Sequence, residues 1–384
     1  MKKIKVLHLI KTLSLGGAEL NLFNLTRHID PRHFETHIGY STGGEFEKRF
    51  KESGIKLFKF AEGSHKIKSF ASFVILLRLT VYILRNRIQI IHTHTFNAHI
   101  WGCIAAKITG TKIIEHVHDF RYVTPCEFER RRGVSRQYKY IKYLKGVSDI
   151  VVVLTRQNYE FLISNKLYGR ERIREIQNGI PAAADRLLKE DANRELRRGL
   201  KLTEEDLVIL TPCRIAPEKN IDLIFHVAPI VKNEYQNTVF IVSGNGPLFE
   251  EYRAKCNALN LNGTIKMIGF YPQMYDLLSI TDIFLLPSFL ELHSIALLEA
   301  LSMKVPVIVS RDVGCNNEFI ENWCNGVLLD PFTSDGWAEA VIKLLKDREL
   351  RQSIGQKGYE LCKERFNVKD TAKKFEEIYA ELIG

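Results

Sequence analysis

Glu291 and Glu299 stand with seven residues between them on a segment that is otherwise apolar, through Ile295, Ala296, Leu297, Leu298, Ala300 and Leu301. Carboxylates are seldom buried without partners, and paired ones can accept hydrogen bonds from the hydroxyls of a sugar or a ribose. A strand-like run, 283–286, precedes them. That predicts Glu291 in the following loop and Glu299 inside a helix that begins near Ser294. The amides at such a helix start, at Ser294 and Ile295 with His293 just before, favour an anion. A second constellation follows another strand-like run, 207–210. Arg214 and Lys219 share one strand-end loop there and can neutralise a diphosphate, as fork and point charge. The same pair suits a surface ion pair with Glu218.

Two glycine loops also follow strands. Gly16-Gly17-Ala18-Glu19 lets backbone approach a ligand ahead of a helix, or simply makes a tight turn. Gly244-Asn245-Gly246 makes a sharp strand-to-helix turn that passes near a nucleotide base or only reverses the chain. Neither is the Gly-x-Gly-x-x-Gly dinucleotide fingerprint, which disfavours a dehydrogenase. His92 and His94 end one strand-like run, and His116 and His118 end another. Alternate positions on a strand face one way. Beyond Glu115 and Asp119 no carboxylate or thiol cluster of ligand spacing completes a metal site. Contact of a His118–Asp119 pair with a polar substrate is therefore expected, and no metal.

These loops need elements to hold them. Strand-like runs alternate with helix-length segments from end to end, at 5–10, 36–40, 88–92, 112–116 and 149–154, then at 207–210, 239–242, 265–268, 283–286 and 305–309. Near-continuous Val/Ile/Leu runs fit parallel strands covered on both faces. The alternation implies βαβ units and an α/β fold of two doubly wound, Rossmann-like domains. Such sheets bind ligands beyond the carboxyl ends of their strands, where every loop above lies. The turn Asn178-Gly179-Ile180-Pro181 marks the boundary. The expected domains are 1–181, 182–365, and a C-terminal helical segment, 366–384, that packs back on the first.

Length and composition agree. At 384 residues, 45% hydrophobic and 26% charged, the chain is globular and long enough for two cores. Seven scattered cysteines, none as Cys-x-x-Cys, fit a reducing compartment rather than disulfides or structural zinc. A strand-like run almost at the first methionine leaves no signal peptide, and the most apolar stretch, 70–84, is too short to span a bilayer. A cytoplasmic protein follows. Residues 1–180 carry 31 Lys and Arg against 15 Asp and Glu, a net of +16 within a total of +10. Residues 69–87 read as a core-packed helix. Residues 130–145 interleave Arg130, Arg131, Arg132, Arg136, Lys139, Lys142 and Lys145 with Tyr138, Tyr140 and Tyr143. That pattern suits an anionic bilayer surface, so peripheral docking on the inner leaflet is expected. No nucleic-acid motif accompanies the basic half.

In order and spacing these motifs resemble the retaining GT-B glycosyltransferases of glycosyltransferase family four. The resemblance runs over nearly the whole chain and includes Val117-His118-Asp119, Gly269-Phe270, Pro306-Val307-Ile308 and Asn325-Gly326. It implies two Rossmann-like domains facing a central cleft, and transfer of a hexose or N-acetylhexosamine from a nucleotide-diphosphate sugar, UDP or GDP, to a saccharide or lipid-linked saccharide. It implies that Arg214 and Lys219 grip the diphosphate and that Glu299 holds the ribose. Glu291 and His118 would then contact the sugar, and Gly16 and Gly17 would approach the diphosphate, without a metal cofactor. Two departures stand out. The family usually has Gly-Phe-Gly-Leu after the first glutamate, where Leu292-His293-Ser294-Ile295 stands here, and Lys304 lies where a glycine is usual. They leave room for a non-catalytic or weakly active partner subunit of the same fold, and a sugar-nucleotide epimerase of that fold is the other alternative.

Overall fold

The computed structural model describes residues 3–61, 70–118, 146–182, 190–334 and 336–384. The chain divides into two compact units, Met1–Pro181 with Val368–Gly384, and Ala182–Asn367. Arg130, Arg131, Arg132, Arg136, Lys139 and Lys142, and also Asp119, lie outside the described residues.

The first unit is built on a seven-stranded parallel sheet. Its strands are β1 (Ile4–Thr12), β2 (Phe34–Thr42), β3 (Lys56–Lys59), β4 (Ile90–Thr93), β5 (Lys112–His116), β6 (Ile150–Val153) and β7 (Ile173–Glu175), in the order β3-β2-β1-β4-β5-β6-β7. The helices between them are α1 (Gly17–His28), α2 (Glu45–Glu52), α3 (Phe70–Asn86), α4 (Phe96–Thr109) and α5 (Arg156–Ser164). Because side chains alternate across a sheet, Leu7, Leu9, Ile91 and Ile113 face one layer. There they meet Ile75, Leu79 and Ile83 of α3 and Trp101 and Ala105 of α4. Val6, Ile90, Ile114 and Val152 face the other layer, which the last helix of the chain, Val368–Ile383, covers with Ala372, Phe375, Ile378 and Tyr379.

The expectation that residues 69–87 pack wholly into the core fails on one side. Only the Ile75, Leu79, Ile83 face of α3 is buried, while Phe73 is 63% and Leu84 60% exposed. The sequence hides this because the helix is apolar on both faces, so no amphipathic period marks an outside.

The second unit has six parallel strands, β8 (Leu207–Pro212), β9 (Thr238–Ser243), β10 (Ile265–Gly269), β11 (Ile283–Leu286), β12 (Val307–Ser310) and β13 (Val327–Leu329), in the order β10-β9-β8-β11-β12-β13. Around them run α6 (Glu190–Gly199), α7 (Ile221–Glu234), α8 (Phe249–Ala258), α9 (Met274–Ser279), α10 (Ile295–Ser302), α11 (Asn316–Phe319), α12 (Trp337–Lys346) and α13 (Arg348–Arg365). The last helix is α14 (Val368–Ile383). Phe240, Val242, Ile283 and Ile308 pack with Ile224 and Val227 of α7 and Trp337, Val341 and Leu344 of α12.

Both sheets reverse winding direction beside their first strand, between β1 and β4 and between β8 and β11. A crevice opens at such switch points, at the carboxyl ends of the strands. The Gly16-Gly17 turn follows β1, and the loops of Arg214 and Glu291 follow β8 and β11.

Candidate active site

In the second unit the β8 and β11 loops are joined by one buried network. Lys219 Nζ donates to Glu291 Oε1 at 2.5 Å, and Ser288 Oγ donates to the same oxygen at 2.9 Å. Backbone adds a third tie, from the Phe289 N–H to the Glu218 carbonyl at 2.8 Å. Burial pulls the Lys219 ammonium down, but the Glu291 carboxylate outweighs it and holds the pKa above the ordinary lysine value. Lys219 therefore stays charged, and it is matched. Arg214 differs. Its side chain is exposed and has no ion-pair or hydrogen-bond partner among the described residues. The cation that the sequence offers as a fork is thus the unmatched one, while the point charge is held against a carboxylate. Cys213 lies beside them with its thiol pushed up to about 12 by burial, so it offers no thiolate.

Ser294 starts α10 as its cap, accepting from the Leu297 N–H at 3.4 Å. Glu299 sits inside α10 at 6% exposure, and Glu291 in the loop before it at 9%. The intervening His293 is walled by Phe319 and Phe366, at 5.6 and 5.1 Å between rings. Burial, with Arg365 nearby, drives its pKa down to about 3. The Leu292-His293 departure thus fills an apolar space with a neutral ring. Ile295 is buried as well.

The glycines of the 244–246 loop have a packing reason. A Cβ on Gly246 would come within 2.2 Å of the Ile215 carbonyl, and Gly244 lies at φ +141 against the Cys213 carbonyl. Ile215 N–H donates to Asn245 O at 3.0 Å, which lays the β9 loop on the β8 loop. The backbone that carries Arg214 is fixed from behind in this way. Lys304 ends α10 at φ +59, a left-handed conformation that explains the usual glycine there.

In the first unit the switch point carries histidines. His8 of β1 pairs in register with His92 of β4. His8 Nδ1 lies 3.0 Å from His94 Nε2, and His94 Nδ1 lies 3.3 Å from His118 Nε2. His92 Nδ1 meets Tyr379 Oη of α14 at 2.7 Å. Phe375 lies 5.1 Å from both the His92 and His116 rings. Burial above all, then neighbouring histidines, keeps His92, His94 and His116 far below the usual histidine range, so these rings are neutral. Two triads, His8-His92-His94 and His94-His116-His118, bring ring nitrogens within 4.8 Å of one another. His8 is a fifth member that the sequence reading missed. Its only signal is an imidazole at the inward position between Leu7 and Leu9, on a strand that becomes the neighbour of β4 only in the folded sheet.

Gly16 precedes α1 in extended conformation, and a Cβ there would run into the Glu19 carboxylate. Glu19 folds back over the helix start, and burial raises it to about 7. A shallow depression of about 400 Å³, with Asp282, Lys304, Arg348 and Arg351 on its wall, lies at the amino ends of β11 and β12, away from these loops.

Two parallel doubly wound sheets, each with its polar loops at the switch point, define a GT-B glycosyltransferase. The family model described as Glycosyltransferase Family 4 matches residues 15–184, and the one described as Glycosyl transferases group 1 matches 192–361. The chain belongs to that family. It is 26% identical over 329 residues to the UDP-Gal:alpha-D-GlcNAc-diphosphoundecaprenol alpha-1,3-galactosyltransferase of Escherichia coli, covering 83% of this chain and 81% of that one. It is 24% identical to the phosphatidylinositol N-acetylglucosaminyltransferase GPI3 subunit of Saccharomyces cerevisiae, covering 96% and 80%. Among solved structures, Anabaena HepE in complex with UDP and glucose superposes with a TM-score of 0.83 at 19% identity, covering 98% of this chain and 99% of that one.

Proposed function

We propose that this glycosyltransferase moves a hexose or N-acetylhexosamine from a uridine diphosphate sugar to a lipid-linked saccharide, with retention of anomeric configuration, in the synthesis of a cell-surface polysaccharide or glycolipid. The observation that carries this reading is the network of Lys219, Glu291 and Ser288 at the β8/β11 switch point, with Arg214 unmatched on the same loop. A departing nucleoside diphosphate concentrates negative charge, and an enzyme lowers that barrier with cations already in position. Arg214 supplies a bidentate fork. Lys219 supplies a charge that Glu291 keeps permanently protonated, and the α10 amides near Ser294 add their partial charge. Glu299 accepts from the ribose hydroxyls, and Glu291 holds the sugar. The family resemblance assigns His118 to contact with a sugar and the Gly16-Gly17 backbone to contact with a diphosphate. Uridine is favoured over guanosine by the donor of the Escherichia coli relative and by the nucleotide in HepE, and a lipid-linked acceptor by the diphosphoundecaprenol of the former. The reaction belongs on the cytoplasmic side, with the enzyme resting on the inner leaflet.

The test is binding first and product second. UDP-sugars should raise the thermal midpoint and GDP-sugars should not. Glu299→Ala should weaken UDP-sugar binding by roughly a hundredfold or more, the loss of two hydrogen bonds to a charged group. Unchanged affinity would overturn the ribose assignment, and an inverted linkage by NMR would overturn retention. Turnover should also survive exhaustive chelation, since protein cations supply the charge. A loss that zinc restores would instead assign an ion to the histidine row, where His94 belongs to both triads.

A further inference from the structure

We infer that the outward face of α3 and α4 is the surface on which the first unit docks to an anionic lipid bilayer. Single exposed apolar residues are ordinary, but clusters are not. Of the twelve exposed large hydrophobic side chains among the described residues, seven lie on these two helices. Phe73, Leu77, Val81 and Leu84 recur at intervals of four, four and three, which is one face of a helix. Ile104 and Ile108 form a second, shorter stripe on α4. The two helices pack side by side in one layer, with their inner faces on the sheet through Ile75, Leu79, Trp101 and Ala105, so both stripes point away from it. An apolar stripe on the outer face of a helix whose inner face is already packed needs a second apolar surface to cover it, and a bilayer supplies one.

Charge selects the occupant. No Asp or Glu occurs between Glu62 and Glu115, while Arg78, Arg85, Arg87, Lys107 and Lys112 do. Arg78, Arg85 and Lys107 are exposed on the same two helices as the stripes. An apolar stripe rimmed by uncompensated cations matches the acyl boundary and headgroups of an anionic leaflet. A two-fold contact with a second copy would set these cations against their own images, with no carboxylate on either helix to offset them. Insertion is parallel to the bilayer. No helix among the described residues is long and apolar enough to cross a membrane, and 17 residues of α3 extend only about 25 Å. The inference rests on the reading of a lipid-linked acceptor, which would be met at the same surface.

Co-sedimentation of the intact enzyme with vesicles tests it. Binding is expected to phosphatidylglycerol–phosphatidylcholine vesicles and not to phosphatidylcholine alone. The double variant Phe73→Asp, Leu77→Asp should lower that binding roughly tenfold or more, and Arg85→Ser with Lys107→Ser should lower it and flatten its salt dependence. Both changes lie on exposed positions, so the UDP-induced thermal shift and transfer to a water-soluble acceptor analogue should be retained. Equal binding to neutral and anionic vesicles would overturn the inference. So would binding that survives both α3/α4 variants and disappears on neutralising Arg130, Arg131 and Arg132, or a dimer in ultracentrifugation that the Phe73 variant dissolves. Vesicle binding without any nucleotide-sugar shift would leave this surface standing and refute the transfer reaction instead.

Discussion

At Glu19 burial and a helix start act on one carboxylate in opposite directions. Burial dominates and its own backbone N–H offsets only part, so the group titrates near 7 instead of near 4.5. A raised carboxyl pKa means that the folded state holds its proton longer than the unfolded chain. Its contribution to stability is therefore full below about pH 4.5 and is lost as pH rises through 7. Glu19→Gln should match the wild type in urea at pH 4 and exceed it at pH 8 by about 3 kcal/mol, the free energy of such a shift. An equal difference at both pH values would show that packing and not ionisation is at work. The residue types of the second unit's loops were legible, because Arg214, Lys219 and Glu291 follow buried strands and so lie at the carboxyl ends, where such sheets take ligands. That Lys219 is held by Glu291 while Arg214 is not was not legible. It is a contact across 72 positions, decided by how two loops fold over each other.

Among the elements, the strands buried inside the sheets announced themselves and three of the edge ones did not. β1, β4, β8 and β11 are apolar because they are covered on both faces. β3, β7 and β13 have three or four residues, lie at sheet margins and pair on one side only, so their sequences carry no run to read. The strand-end turns show the same division. Glycines 244 and 246 were visible as a sharp turn, yet their reason is the Cys213 and Ile215 carbonyls behind them. Gly246→Ala therefore sets a methyl group against backbone that cannot rotate aside. It should cost about 1–3 kcal/mol in urea unfolding. Because the displaced loop carries Arg214, it should also weaken UDP-sugar affinity. A variant as stable as the wild type would mean that the two loops can separate freely.

At the scale of the whole molecule the chain leaves the first unit at Pro181, builds all of the second, and returns at Val368 to complete the first. The return is prepared by the turn Asn178-Gly179-Ile180. A Cβ on Gly179 would come within 2.6 Å of Val368 Cα, and the Val368 N–H donates to the Ile180 carbonyl at 3.0 Å. The last helix then covers one face of the first sheet, placing Phe375 and Tyr379 against the rings of His8, His92 and His116. A chain truncated after Asn367 should therefore lose stability in the first unit alone. Exposing Phe375, Ile378 and Tyr379 partners forfeits about 1.5–3 kcal/mol for each large side chain, enough to unfold a unit of ordinary stability. It also lets the histidines take up protons near their usual range. Calorimetry should show the first unit's transition missing or shifted far down in the truncated chain. The transition that UDP-sugar raises should persist, because the second unit keeps its own core around β8, β11 and α12. If both transitions vanish together, the second unit depends on the first for its fold, and the division of labour between a donor-binding half and a surface-docking half loses its physical basis.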